Sequence, residues 1–344
     1  MSKLLLVGPC LNKKDSTQTG GIVILFEDLL YWLKTNSIPF YVIDLNKNNY
    51  TNKYVAFISI VFQLLWKIPK AQVVSLHGTA KDYLLLAPFA VFFSKLFRKK
   101  ISLRKFAGNF DKIYNDSSLF KKKMYRYVLS EADVLFFETK YLVQFAVQFN
   151  KNSFWLPNTR RKSMFCDIKK IEQKIFSKRF VFMSHVKKAK GVLELLNVFS
   201  QLDKSYTLDI YGIIDDIPVE SLYTTNVNYI NALNSNQVLE VLSQYDVLLL
   251  PSLRPAEGYP GIIIEALSLG LPVISTNVGG IPEIYSDGVE GYIIEPKNSE
   301  QLLESIKKIN DSNYKMMSKN ALERFKYFDS DMVYNEIKNK MFLL

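Results

Sequence analysis

Histidine and cysteine are nearly absent from this chain. In 344 residues there are two of each: His77 and His185, Cys10 and Cys166. So few imidazoles argue against a His-rich metal centre. Two isolated cysteines give neither a disulfide framework nor a zinc-ligand spacing, and a reducing, cytoplasmic compartment is the natural expectation. Long hydrophobic runs are missing as well. The opening MSKLLLVGP has an apolar run too short for a signal peptide and reads as a first strand. The two longest apolar stretches, VAFISIVFQLLW at 55–66 and LLLAPFAVFF at 84–93, fall short of the ~18–20 residues needed to span a bilayer. No G-x-G-x-x-G follows the first strand, which argues against a nicotinamide oxidoreductase. No recognisable reader module accompanies the basic residues, so no nucleic-acid partner is expected.

What is present is a chain long enough for about two ordinary domains, with 48% hydrophobic residues to fill their cores. Its charge is unevenly spread. Residues 1–165 carry 25 Lys/Arg and 10 Asp/Glu, a net of +15, and residues 166–344 carry 19 and 23, a net of −4. A basic first half suits an anionic partner, although a solvated Lys-rich surface gives the same count. Both apolar stretches run into positive charge, Lys67 and Lys70 after one, Lys95, Arg98, Lys99 and Lys100 after the other. In SLFKKKMYRYVL at 118–129, Lys121, Lys122, Lys123 and Arg126 stand beside Leu119, Phe120, Met124 and Val128. Apolar faces edged with Lys and Arg suit docking on an anionic membrane surface; ordinary helix–sheet packing is the alternative.

Along the chain, strands alternate with helices. KLLLVGP, FYVIDL, AQVVSLHG, ADVLFFET and SFWLPN read as strands, separated by helical patterns beginning with IVILFEDLLYWLK after Gly20–Gly21. The pattern restarts with RFVFMSH, YTLDIYG, VNYINAL, DVLLLPS, PVIST and GYIIEP, with helices at GVLELLNVFSQL and NSNQVLEVLSQY. Such alternation predicts parallel sheets covered by helices on both faces, an α/β class. The charged stretch RRKSMFCDIKKIEQKIFSK around 160–178 reads as the linker. The expected division is an N-terminal domain over 1–165, a C-terminal domain over 166–325, and a last helix over 326–344 packing back on the first.

In parallel α/β sheets, ligands bind beyond the carboxyl ends of the strands. The most informative segment follows DVLLLPS and reads RPAEGYPGIIIEALSLG. Two Pro and two Gly make a tight turn, and Pro260 suits the start of a helix near Gly261. Gly258 and Gly261 let a ligand approach the backbone, and free amides from Gly258 to Ile262 are placed to hold a diphosphate. Glu265 lies about one turn into that helix, inside an apolar run where a carboxylate is uncommon without a partner. The two hydroxyls of a ribose are the partner proposed for it. Glu257, in the turn, would face the group beyond the phosphates. The plainer reading makes Glu265 a surface residue and Glu257 a favourable acid near a helix start.

The segment PSLRPAEGYPGIIIEALSLGLPVISTNVGGIPEIYSDGVEGYIIEP closely resembles the donor-binding core of the retaining GT-B glycosyltransferases of family 4, and Glu257 and Glu265 match that family's E-x7-E pattern. The likeness is strong from about Phe180 to Pro296 and weak before Ala132. It implies a GT-B fold, two Rossmann-like parallel-sheet domains facing across a cleft. The first domain, 1–165, would serve the acceptor, and the second, 166–325, the nucleotide sugar. It further implies that Glu265 binds the nucleotide ribose, that Glu257 contacts the transferred sugar, and that the amides around Tyr259, Pro260 and Gly261 hold the diphosphate. Lys190 of KKAKG would neutralise that diphosphate. Where relatives often carry Arg, this chain has His185, a departure that Lys187 or Lys188 would offset. In the first domain the resemblance points to Gly21 in a loop approaching the phosphates and to His77 near the reacting sugar. Arg104 is a weaker match, contacting acceptor or phosphate. Asp215–Asp216 lack the spacing of a DxD metal motif, and no metal or other cofactor is expected.

The function implied is metal-independent, retaining transfer of a sugar, with a UDP-sugar favoured as donor, to a glycan or polyprenyl-linked acceptor in bacterial surface glycan synthesis. The expected location is the cytoplasm, at the inner face of the cell membrane. The competing reading is a non-catalytic glycosyltransferase-like subunit of a membrane glycosylation complex. Intact Glu257, Glu265 and Lys190 argue against it, and His185 gives it slight support.

Overall fold

The computed structural model describes residues 4–13, 20–162 and 175–342. The chain divides into two compact units, one made of 1–159 with 330–344 and the other of 160–329. Residues 14–19 and 163–174, and with them Cys166 and most of the stretch read as linker, lie outside the described residues.

Unit 1 contains a six-stranded sheet of β1 (Leu4–Gly8), β2 (Phe40–Asp44), β3 (Val73–Gly78), β4 (Lys100–Lys105), β5 (Val134–Phe137) and β6 (Ser153–Trp155), ordered β2-β1-β3-β4-β5-β6 with every pair parallel. Alternate side chains of β1 feed two cores. Leu5 and Val7 join Leu76, Leu103 and Leu135 on one face, and Leu4 and Leu6 join Phe26, Trp32 and Leu156 on the other. A parallel sheet buried on both faces needs such near-continuous apolar strands. The helix Ser330–Phe342 belongs to this unit and covers the second face with Val333, Tyr334, Ile337, Met341 and Phe342.

One strand was not legible. KISLRK carries three cations in six residues, yet it pairs with β3 and β5 in the middle of the sheet, with Arg104 and Lys105 both buried. Their charges are accommodated by specific partners. Arg104 donates to the carbonyl of Pro157 at 2.9 Å, and Lys105 to the carbonyl of Phe106. Burial still presses the Lys105 ammonium down to about 8.

Unit 2 has β7 (Arg179–Met183), β8 (Thr207–Tyr211), β9 (Val227–Asn231), β10 (Val247–Leu250), β11 (Val273–Thr276) and β12 (Gly291–Ile294). Their order is β12-β11-β10-β7-β8-β9, again parallel throughout. The chain builds outward from β7 in one direction, then returns to place β10 on its other side. The loops after β7 and β10 therefore diverge to opposite faces, and the space between them is the switch point at which open α/β sheets bind ligands. The helix expected over NSNQVLEVLSQY is shorter, Val238–Leu242.

Candidate active site

Both loops at the switch point of unit 2 carry residues expected from the sequence. After β7 the chain passes the exposed His185, makes one tight turn at Lys188–Lys190, and enters the helix Val192–Phe199. Gly191 joins turn to helix with φ +77, and a Cβ there would lie 2.0 Å from the carbonyl oxygen of Pro251. Only glycine permits both the left-handed backbone and that approach. The contact fixes the first loop against the second, as does the amide of Leu253 donating to the carbonyl of Ala189 at 3.0 Å.

Across this junction Lys190 Nζ bonds Glu257 Oε1, and Ser252 Oγ donates to the same oxygen at 2.9 Å. Both charged side chains are 10% exposed. A buried carboxylate with two donors and a buried ammonium with a carboxylate are mutually compensated. The main chain of Glu257 is pinned from β11, whose following loop gives the Gly280 amide to the Glu257 carbonyl at 2.9 Å. Asp215 and Asp216 are taken up by the neighbouring loop, Asp215 facing Lys187 Nζ at 3.5 Å and Asp216 accepting the Lys188 amide at 2.8 Å.

The turn then reaches a helix, Gly261–Ser268, with Pro260 as its N-cap residue. This start agrees with the Pro–Gly signal in the sequence. Tyr259, almost fully buried, donates its hydroxyl to Glu283 Oε2 at 2.6 Å and packs edge-on against Phe328. Gly258, Pro260 and Gly261 are half-buried. The first-turn amides and the positive end of the helix dipole thus stand beside the Lys190–Glu257 pair, an arrangement suited to an anion. One turn on, Glu265 is engaged by a residue outside the set expected from the motifs. Arg160 Nε donates to Glu265 Oε1 at 2.6 Å.

The unit 1 candidates are placed otherwise. His77, next to last in β3, lies opposite Arg104 on β4 and is wholly buried between the rings of Phe26 and Phe106. Its Nε2 is 2.9 Å from Ser75 Oγ, and burial, with the Arg104 charge second, holds its pKa well below the usual imidazole value. Gly21 begins the helix Gly21–Thr35 after Gly20. Neither glycine has a left-handed backbone, and a Cβ on either would meet open space. The structure therefore gathers Lys190, Glu257, Gly258, Tyr259, Pro260, Gly261 and Glu265 in unit 2, with His185 exposed at the start of the same loop. It pairs His77 with Arg104 in unit 1. Sequence reasoning missed Ser252, Arg160 and the role of Glu283. The only signal for Arg160 was the charge run RRK, which has no chemistry of its own.

This geometry coincides with a family match. Residues 167–324 match the family model of glycosyl transferases group 1. The matched stretch lies within the second unit and includes Lys190, Glu257 and Glu265. It is also 27% identical over 274 residues to an uncharacterized 41.2 kDa protein in the cps region of Klebsiella pneumoniae, covering 74% of each chain. The capsular polysaccharide biosynthesis glycosyltransferase CapM of Staphylococcus aureus is 26% identical over 207 residues, 56% of this chain and 51% of CapM. The crystal structure of Anabaena Alr3699/HepE in complex with UDP superposes with a TM-score of 0.75 at 16% identity, covering all of both chains. The lipopolysaccharide outer core galactosyltransferase WaaB gives 0.69 at 14% identity over 99% of each chain. At such identities these structures establish the fold, that of the GT-B glycosyltransferases.

Proposed function

We propose that this protein is a retaining glycosyltransferase that moves a sugar from a nucleoside-diphosphate sugar, a UDP-sugar by preference, to a hydroxyl of a glycan or polyprenyl-linked acceptor in bacterial surface glycan synthesis. The observation that carries the reading is the convergence, at the switch point of unit 2, of a buried ammonium, a helix N-terminus and two carboxylates eight residues apart. Negative charge develops on the diphosphate as it leaves. Lys190 and the amides from Gly258 to Ile262 are fixed before the reaction, and fixed donors stabilise such charge at little reorganisation cost. That assignment assigns the role of charge stabiliser to protein groups, without a metal. Glu257, held by Lys190 and Ser252, would meet the transferred sugar, and Glu265 the ribose. The relative CapM is a capsular polysaccharide biosynthesis glycosyltransferase, and the solved neighbours include a complex with UDP and glucose.

The surface of unit 1 supports a membrane-bound acceptor. No helix among the described residues is long and apolar enough to cross a membrane. The helix Lys53–Lys67 nevertheless exposes Ile58, Phe62 and Trp66, successive residues four apart on one face, at 67%, 64% and 62%. Beside it, the helix Ala87–Leu96 exposes Phe92 and Leu96, and Phe57 meets Phe89 between the two. Lys70 lies over the Trp66 ring, and Lys53, Lys95 and Arg98 are exposed nearby in sequence. An apolar face edged with cations fits the interface of an anionic bilayer, and we place the protein at the inner face of the cell membrane.

The test is slow hydrolysis of a panel of UDP- and GDP-sugars. One donor should turn over, and Glu257→Ala and Lys190→Ala should each abolish that turnover while calorimetry reports a folded protein. Undiminished turnover in both variants refutes the site assignment, and no turnover of any donor by the wild type favours a non-catalytic subunit.

A further inference from the structure

Glu265 already has a cationic partner, and that partner is built in. Arg160 is the first residue of unit 2. Its amide donates to the Phe328 carbonyl at 2.9 Å, and it forms an isolated parallel bridge with Asp329. Phe328 in turn packs on Tyr259 of the site turn. From this anchored backbone the side chain crosses to the helix Gly261–Ser268 and bonds Glu265 at 2.6 Å, the two side chains being 12% and 16% exposed. The guanidinium also lies over the first helical residue. A Cβ at position 261 would come within 1.8 Å of Arg160 Nη2. Gly261 therefore leaves the room that Arg160 occupies, and any larger residue would drive the guanidinium away.

We infer that Arg160 is a positioning residue that holds the Glu265 carboxylate ready to accept the two hydroxyls of the donor's ribose; this rests on the reading of Glu265 as the ribose ligand. A carboxylate has two oxygens and about four acceptor positions. Arg160 Nε takes one of them on Oε1, and those that remain are oriented by a planar, charge-assisted bond. A glutamate side chain left to itself must be ordered when the nucleotide arrives, at a cost in rotamer entropy that weakens binding. Here the ordering is done by the fold. A lone cation next to a helix N-terminus is electrostatically unfavourable. Glu265 neutralises it, so each partner has a reason to keep the other in place.

The experiment is calorimetric titration of UDP, GDP, ADP and CDP, followed by the 2′,3′-dideoxy form of the tightest binder. Wild type should prefer the ribonucleotide, and Glu265→Gln should erase the preference. Arg160→Ala should weaken the ribonucleotide by about tenfold and leave the dideoxy form nearly unchanged. Arg160→Lys should recover part of the loss, because an ammonium pairs with the carboxylate without the planar fork. Arg160→Met, which keeps the apolar stem of the side chain without the guanidinium, should show the same selective loss and stands in if Arg160→Ala does not fold. An Arg160→Ala effect equal on both nucleotide forms would overturn the inference, since the residue would then act on phosphate or on the fold. Loss of the ribose preference in Glu265→Gln alone would overturn it as well, while leaving the role of Glu265 intact. If Glu265→Gln keeps the preference, or no nucleotide binds, the underlying reading fails, and the inference with it.

Discussion

Replacing Lys190 by Met removes the ammonium from a site where Glu257 stays buried. The Glu257 side chain is 10% exposed, and after the substitution Ser252 Oγ is the side-chain donor that remains to its Oε1 among the described residues. Removing one partner of a buried ion pair costs about 3–5 kcal/mol, because the other charge is left uncompensated. Ser252 offsets part of this, so a loss near ~3 kcal/mol is expected. In a unit of this size each kcal/mol shifts Tm by about 2–4 °C, and the expected fall is about 6–12 °C. The double variant Lys190→Met/Glu257→Gln removes both charges and keeps a side chain to which Ser252 can donate. It should recover at least half of the lost stability. Differential scanning calorimetry is the appropriate assay. All three tryptophans, Trp32, Trp66 and Trp155, precede residue 160, so tryptophan emission would report unit 1. A Lys190→Met protein as stable as wild type would refute the claim that the pair is buried and mutually compensated. So would a double variant less stable than both single ones. Nucleotide binding should be lost in the single and the double variant alike, because both lack the ammonium proposed to face the diphosphate.

The remaining predictions concern the frame of the site, the buried histidine and the outer surface of unit 1. Gly191→Ala forces a side chain into a left-handed backbone and onto the Pro251 carbonyl; it should cost about 2–4 kcal/mol by urea unfolding and weaken nucleotide binding, and a neutral result would remove that glycine's structural role. Burial holds the His77 pKa below 6.5, so the unfolded chain binds the proton first. Stability should be at its full value above about pH 6.5 and fall as pH drops toward the folded-state pKa, by up to ~1.4 kcal/mol per pH unit. His77→Gln should remove that component of the slope, and identical pH profiles for the two proteins would sink the assignment. On anionic liposomes the wild type should float at low salt and release at high salt, and Phe62→Asp with Trp66→Asp should reduce flotation without changing hydrolysis of the donor. Flotation indifferent to both salt and these substitutions would eliminate the docking surface.

The sequence by itself determined the local chemistry of the site. RPAEGYPGIIIE specifies a Pro–Gly turn into a helix that starts at Gly261, because proline and glycine set backbone dihedrals without help from distant residues. It likewise determined the parallel α/β class, since uninterrupted apolar strands alternating with helical patterns have few other ways to bury themselves. KISLRK escaped for the opposite reason. Its cations look solvated in one dimension, and only the neighbouring strands, Pro157 and Phe106 show where their donors go. His77 was legible as a polar residue at a strand end, but its enclosure by Phe26 and Phe106 depends on side chains 51 and 29 positions away. The tertiary structure alone decided which charges meet. Lys190 and Glu257 are 67 residues apart, and Arg160 and Glu265 are 105 apart. Their pairing follows from β10 returning to lie beside β7 and from the chain near Phe328 holding Arg160 over Gly261. Periodicity and turn chemistry act over a few residues, whereas an ion pair is selected by the geometry of the assembled sheet.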